Sequence, residues 1–130
     1  MRQEDKDEIW HLARLSPMAA LVHSYDNSKK CYTTLVDGRV AIIGGIGGAG
    51  DLGVPWMLAS PLLLKIRKDF IREVRDYLWE LSRGYKMLRN VAWSKNEAHI
   101  RWLKWMGFEM GEGIPLGPDN EIYIPFHKVI

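Results

Sequence analysis

The sequence predicts a mixed α/β (α+β) domain: a central mixed sheet with helices on its faces. Three observations carry that prediction. Two β-rich runs are joined by Asp37-Gly38, a long apolar pattern at steps of three and four precedes Gly84, and a strand-like run leads into a helix start at Ser94. A hairpin meander followed by crossover helices needs antiparallel and parallel neighbours in one sheet, with the helices packed against it.

Taken in order, residues 3 to 15 are first charged and then carry Ile9, Trp10, Leu12 and Ala13, which suits a short amphipathic helix. Ser16-Pro17 is a cap followed by a first-turn proline, so a second helix runs from Pro17 to about Tyr25. Asp26-Asn27-Ser28 ends it. Cys31 to Val36 and Arg39 to Ile43 form a hairpin, since Gly38 tolerates the positive φ of a tight turn. Gly44 to Gly53 reads as a flexible, glycine-rich hairpin loop, and Val54 to Ser60 as a third strand with Pro55 at an edge or bulge. Ser60-Pro61 repeats the cap-plus-proline signal and opens a long helix to about Arg83. Ile66, Phe70, Val74, Tyr77, Leu78 and Leu81 form its apolar face, and Gly84 ends it. Met87 to Trp93 is a strand. Ser94-Lys95-Asn96-Glu97 reads as a capping box, with Ser94 accepting from the Glu97 amide, and its helix continues through Trp102, Leu103 and Met106 to Gly107. Phe108 to Pro115 and Glu121 to Phe126 are the last strands, turned by Gly117-Pro118-Asp119-Asn120.

At 130 residues the chain suits one domain, residues 1–130, with one core. Apolar residues make up 47 % of it, enough to build that core. A net charge of +2 argues against nucleic acid as a partner. Cys31 is the single cysteine, so no internal disulfide forms. No run approaches the roughly 18–20 apolar residues of a membrane span, and Met1-Arg2-Gln3-Glu4-Asp5-Lys6 is too charged for a secretory signal. These features predict a soluble intracellular protein without a membrane partner.

Several motifs resolve into structural readings. Gly45-Ile46-Gly47-Gly48-Ala49-Gly50 matches a dinucleotide fingerprint by letter, but Asp51-Leu52-Gly53-Val54-Pro55 cannot open the helix whose N-terminus faces a pyrophosphate. No Lys-Ser or Lys-Thr follows to make a P-loop. His11, His23, His99 and His127 are scattered, which predicts no metal site. No G-x-S-x-G elbow is present, and Cys31 reads as a packed or edge-strand thiol. Lys86, Arg89, Arg101 and Lys104 near Trp93 and Trp105 read as a solvated face rather than a single-strand nucleic-acid platform.

The segment Asn96-Glu97-Ala98-His99-Ile100-Arg101-Trp102-Leu103-Lys104-Trp105-Met106-Gly107-Phe108 resembles the signature of the GNAT N-acetyltransferases, which starts with Asn and ends in Gly-Phe at the same spacing. Phe70 to Tyr77, Asn90 to Trp93 and His99 to Lys104 resemble the acetyltransferase-like proteins of short-tailed bacteriophages, the podoviruses, some of which are associated with assembly of internal virion proteins. The resemblance covers nearly the whole chain. It implies a GNAT acyl-CoA N-acyltransferase fold whose first strand is missing or precedes the start of this chain.

It also implies acetyl-CoA as cofactor; no metal is expected, from the scattered histidines above. The strand residues Met57, Leu58, Ala59 and Ser60 would pair with the pantetheine arm, and Asn96 would contact the same arm. Where the family carries a glycine-rich pyrophosphate turn, Ser60-Pro61-Leu62-Leu63-Leu64-Lys65-Ile66-Arg67 has no glycine, so Lys65 and Arg67 would supply the charge. The usual tyrosine acid falls on Leu103, which cannot donate a proton, and Asp51 is the candidate base. Two functions follow: N-acyl transfer to an amine, or a catalytically degenerate member that acts in virion assembly through a virion or host protein. Either works in the cytoplasm of the host cell, with virion association for the second. Exposure of Trp10, Trp102 or Trp105 would point to a partner surface.

Overall fold

The computed structural model describes residues 1–62 and 68–130, without the side chains at 49 and 68–71. Two helices, α1 (Gln3–Ala13) and α2 (Pro17–Asp26), lead into an antiparallel meander of β1 (Ser28–Val36), β2 (Arg39–Ala49) and β3 (Leu52–Ala59). Then come α3 (Lys68–Leu81), β4 (Met87–Trp93), α4 (Glu97–Trp105), β5 (Glu109–Met110), β6 (Ile114–Leu116) and β7 (Glu121–Val129). The strands form one seven-stranded sheet in the order β1-β2-β3-β4-β7-β5, with β6 also on β7. The fold is thus the predicted α/β class, a largely antiparallel sheet flanked by helices. None of the described helices is long and apolar enough to cross a membrane.

The core lies where α3 and α4 meet the sheet. Val74 and Leu78 of α3, Trp102 and Leu103 of α4 and Met106 just after it pack with Ile42, Ile46, Leu88, Phe108 and Phe126. Phe108 and Phe126 meet edge to face at 5.0 Å. Local signals behave as expected at several ends. Ser16 Oγ accepts from the Ala19 amide, and Asp37 and Gly38 turn the first hairpin with φ of 51° and 76°. Ile66 of the expected long helix lies outside the described residues, as do the Phe70 side chain and the pair Lys65 and Arg67.

Three expectations are corrected. The glycine-rich run from Gly44 is not a loop: β2 continues through it and pairs with β3 from Ile42↔Ala59 to Ala49↔Leu52. A Cβ at Gly44 would stand 2.5 Å from the Tyr32 ring and 2.8 Å from the Trp56 carbonyl, so glycine there admits a close cross-strand approach. The capping box at Ser94 does not form, because Asn96 is the N-cap and its side chain makes no cap bond. The first helix is also turned over: it buries Asp5 and Glu8 and leaves Trp10 half exposed. The cause of the last two differences is a polar demand inside the sheet, at the gap between β3 and β4.

Candidate functional site: a gap between two diverging strands

Strands β3 and β4 run parallel but pair only at Leu52↔Met87 and Gly53↔Leu88; beyond that they splay. Backbone groups alternate sides along a strand, so every second residue aims its N–H and C=O into the gap. On β3 the inward set is Pro55, Met57 and Ala59, because the Ser60 amide bonds to Ala41 of β2. On β4 the inward set is Arg89, Val91 and Trp93, because the Ser94 amide bonds to Ile122 of β7. Pro55 fits this pattern, since the N–H it lacks would point at no strand.

The sequence fills part of the gap with its own side chains. Asn90 Nδ2 donates to the Pro55 carbonyl at 2.7 Å while its Oδ1 accepts from the Val91 amide at 2.8 Å. At the wide end α1 does the same with two carboxylates. Asp5 Oδ2 accepts from the Ala59 amide at 2.9 Å, and Glu8 Oε1 accepts from the Trp93 amide at 2.6 Å. The backbone of Arg2 donates to the Ala59 carbonyl at 2.8 Å, and the Tyr123 hydroxyl donates to the Glu8 carbonyl.

Asn96 ties these groups together and is fully buried. Its Nδ2 donates to Asp5 Oδ1 at 2.9 Å and to Glu8 Oε2 at 3.3 Å, and its Oδ1 accepts from the Arg2 guanidinium at 3.2 Å. His99, one turn along α4, holds Nδ1 3.3 Å from the Glu8 carboxylate. Burial is the largest influence on both titrating groups. It raises the Asp5 carboxyl above its ordinary 3.8, against hydrogen bonds from Asn96 and Ala59 and the charges of His99 and Arg2. It pulls His99 down, but the charge and hydrogen bond of Glu8, helped by Asp5, outweigh burial and Arg2 and leave it above 6.5.

Between the Asn90 bridge and the carboxylate plug lies a cavity of about 200 Å³. Its walls include Trp56 and Leu58 as well as Pro55 and Met57, which point to opposite faces of the sheet, so the space passes through the sheet at the splay. Ile9 of α1 lines it, as does Leu103 of α4, and Glu8 and His99 stand at its polar end. The backbone of Met57 faces this space and meets no hydrogen-bond partner among the described residues.

The site residues expected from the sequence are distributed as follows. Met57 and Leu58 line the cavity, but only Met57 turns its backbone into the gap. The inward groups of Ala59 are taken by Arg2 and Asp5, and Ser60 bonds back to Val40 and Ala41. Asn96 has its whole side chain committed to α1. Leu103 sits at the cavity wall, in the position that the family resemblance gives to a tyrosine. Asp51 stands at the closed end of the splay, exposed beside Lys86 at 3.5 Å and away from the cavity. Lys65 and Arg67 lie outside the described residues. Arg2, Asp5, Glu8 and His99 were not legible as a site in the sequence, because α1 and α4 are some ninety positions apart and the acids belong to a stretch read only as the charged start of an amphipathic helix.

Asp5, Glu8 and His99 bring ligand-type atoms within 4.8 Å of one another. Each carboxylate oxygen there already accepts an N–H, and the Arg2 guanidinium stands 3.5 Å from Asp5. The donor set is therefore spent on the fold and does not fit a cation. A pantetheine arm fares similarly. On β3, among the described residues, Met57 alone keeps its inward backbone groups without a partner, and the wide end through which the arm would lie is occupied by α1.

The fold is shared with known acetyltransferases. The chain is similar to a GNAT-family acetyltransferase from Streptococcus pneumoniae, with 12 % identity over 91 % of this chain and 78 % of that one, and a TM-score of 0.58. It is similar to the aminoglycoside acetyltransferase AAC(6')-Ib in complex with coenzyme A, with 16 % identity over 93 % and 82 % of the two chains and a TM-score of 0.60. A third likeness is to smu.2055 from Streptococcus mutans, with 9 % identity over 90 % and 80 % and a TM-score of 0.64. At these identities the likeness is one of fold. No curated protein matches the sequence. Residues 30–112, well over half of the chain and reaching from the edge strand β1 past α4, match the family described as bacteriophage T7 probable scaffold protein Gp13, and the chain belongs to that family.

Proposed function

We propose that this chain serves phage assembly as a GNAT-fold protein that contacts another protein of the virion or host and does not turn over acetyl-CoA. The observation that carries the reading is the occupation of the Ala59 and Trp93 amides by Asp5 and Glu8, which closes the cleft where a cofactor arm would pair. The absence of an acid at Leu103 agrees with it, since packing alone accounts for a leucine there. The family description as a probable scaffold protein supports the assembly role. Trp10 and Trp105, 50 % and 48 % exposed, support a protein partner, because tryptophan is costly to leave in water and common at interfaces. Trp102 is buried.

A second reading, N-acyl transfer from acetyl-CoA to an amine in the host cytoplasm, is supported by the through-sheet cavity and by the Met57 backbone, which has no partner among the described residues. It requires α1 to leave its place. Isothermal titration of the purified chain with acetyl-CoA separates the two. The expected result is no heat up to millimolar cofactor. Micromolar binding would overturn the closed-cleft reading. For the assembly role, particles are counted from infected cells that lack the chain. Assembly should stall, and a normal yield of full particles would sink the proposal.

A further inference from the structure

The inner face of α1 is an unusual one for an amphipathic helix. Its buried residues are Asp5 and Glu8, while Trp10 and Leu12 are exposed. Apolar burial holds a helix in place at about 25 cal/mol per Å² and has no ready substitute. Here the hold is mostly polar. Asp5 and Glu8 each use both carboxylate oxygens as acceptors, and three of the donors, the Ala59 and Trp93 amides and Asn96 Nδ2, belong to the splayed strands and the start of α4. Those are the groups that an incoming chain of amides would otherwise satisfy. Exchanging one acceptor for another leaves no buried donor unpaired, so the swap avoids the penalty of about 1–3 kcal/mol that each orphaned group would carry.

The two ends of α1 are held differently. Its C-terminal end is tied at the surface: His11 Nδ1 lies 2.8 Å from Asp119 Oδ2, and Arg14 pairs with the same carboxylate. Arg14 itself is in the left-handed region, with φ of 55°, and Ser16 caps the next helix. The N-terminal end enters the gap. A pivot at Arg14 would therefore lift Asp5 and Glu8 out of the gap together while the Asp119 contacts stay near the axis.

We propose that α1 is an intramolecular latch: Asp5 and Glu8 act as built-in occupants of the gap between β3 and β4, and an amide-bearing ligand enters only when α1 swings out. This rests on the reading that the gap is a closed cofactor cleft. The latch makes the closure reversible, which the assembly role alone does not require.

Amide hydrogen exchange on the wild-type chain reads the latch directly. Ala59 and Trp93 have no strand partner for their amides, so their protection reports α1; Leu58 and Ala92 point to neighbouring strands and report the sheet. Ala59 and Trp93 should be protected, and should exchange together through an opening that leaves Leu58 and Ala92 closed. The double variant D5N/E8Q keeps side-chain size but turns an N–H toward a donor at each site. Its Ala59 and Trp93 amides should exchange about tenfold faster or more, and the variant should give heat with acetyl-CoA, used as the amide-bearing probe.

Three results would overturn the latch: unprotected Ala59 and Trp93 in the wild type, exchange of these two only on global unfolding, or a folded variant with fast exchange and no heat. The second is read without any variant, so misfolding of D5N/E8Q does not shelter the proposal. Heat from the wild-type chain would overturn the closed-cleft reading alone, and the exchange of Ala59 and Trp93 would still judge the latch.

Discussion

At the scale of single residues, the buried pair of Glu8 and His99 sets a pH dependence. His99 is raised above its ordinary 6.5 in the fold, so the folded chain holds a proton that the unfolded chain releases sooner. The stability this contributes is fully present below pH 6.5 and is lost as pH rises through the folded value. Asp5 is raised as well, so its contribution has the same sign but falls in the acid range above 3.8. Urea unfolding between pH 6 and pH 9 should show the wild-type midpoint falling with pH, and H99Q should flatten that slope. A slope unchanged in H99Q would mean that another group titrates. The sequence showed His99 only as one of four scattered histidines. Its partner is ninety-one positions away, and no local pattern brings Glu8 to it.

Elements were far more legible. The hairpin at Asp37-Gly38, the proline-led α2 and the strand before α4 each rest on local signals and appear where these place them; α3 appears over Lys68–Leu81, with the expected start at Pro61 partly outside the described residues and Tyr77 of its expected apolar face exposed. The glycine run failed as a local signal because glycine has two uses. It frees a loop, or it admits a neighbour at close range, and only the neighbour decides. At Gly44 the neighbours are the Tyr32 ring and the Trp56 carbonyl. G44A should therefore lower stability by roughly 1–3 kcal/mol, the usual cost of overpacking, seen as a lower urea midpoint with unchanged slope. A neutral substitution would contradict strand packing at that point. The amphipathic reading of α1 failed for a related reason. Periodicity reports which residues share a face, not which face the interior needs, and the splayed strands need acceptors.

At the scale of the whole molecule, Asn96 joins parts that are otherwise separate. It bonds to both acids of α1, to Arg2, and stands at the junction of β4 and α4. Removing it takes a hydrogen bond from each of three buried charged groups, Arg2, Asp5 and Glu8, all on the α1 side of the cleft. N96A should cost at least about 3 kcal/mol, because three buried hydrogen bonds to charged groups are lost. At roughly 4 °C per kcal/mol for a chain of this size, the melting temperature should fall by more than about 10 °C. A fall of a degree or two would show that α1 is not bound into the fold through this residue.

By itself the sequence determined the class of fold, the order of its elements as far as α4, and α4 itself just after Asn96, because turns, caps and apolar periods act over a few residues and are written locally; the run from Phe108 to Pro115, expected as one strand, is the two short strands β5 and β6. Only the tertiary structure decided what the cleft contains. Which backbone amides lie unpaired depends on how far β3 and β4 diverge, and which side chains can answer them depends on where α1 docks. Both are set by contacts between residues some fifty to ninety positions apart. The asparagine that resembles a ligand contact in sequence is, in the fold, the keystone of a plug made by the chain's own first helix.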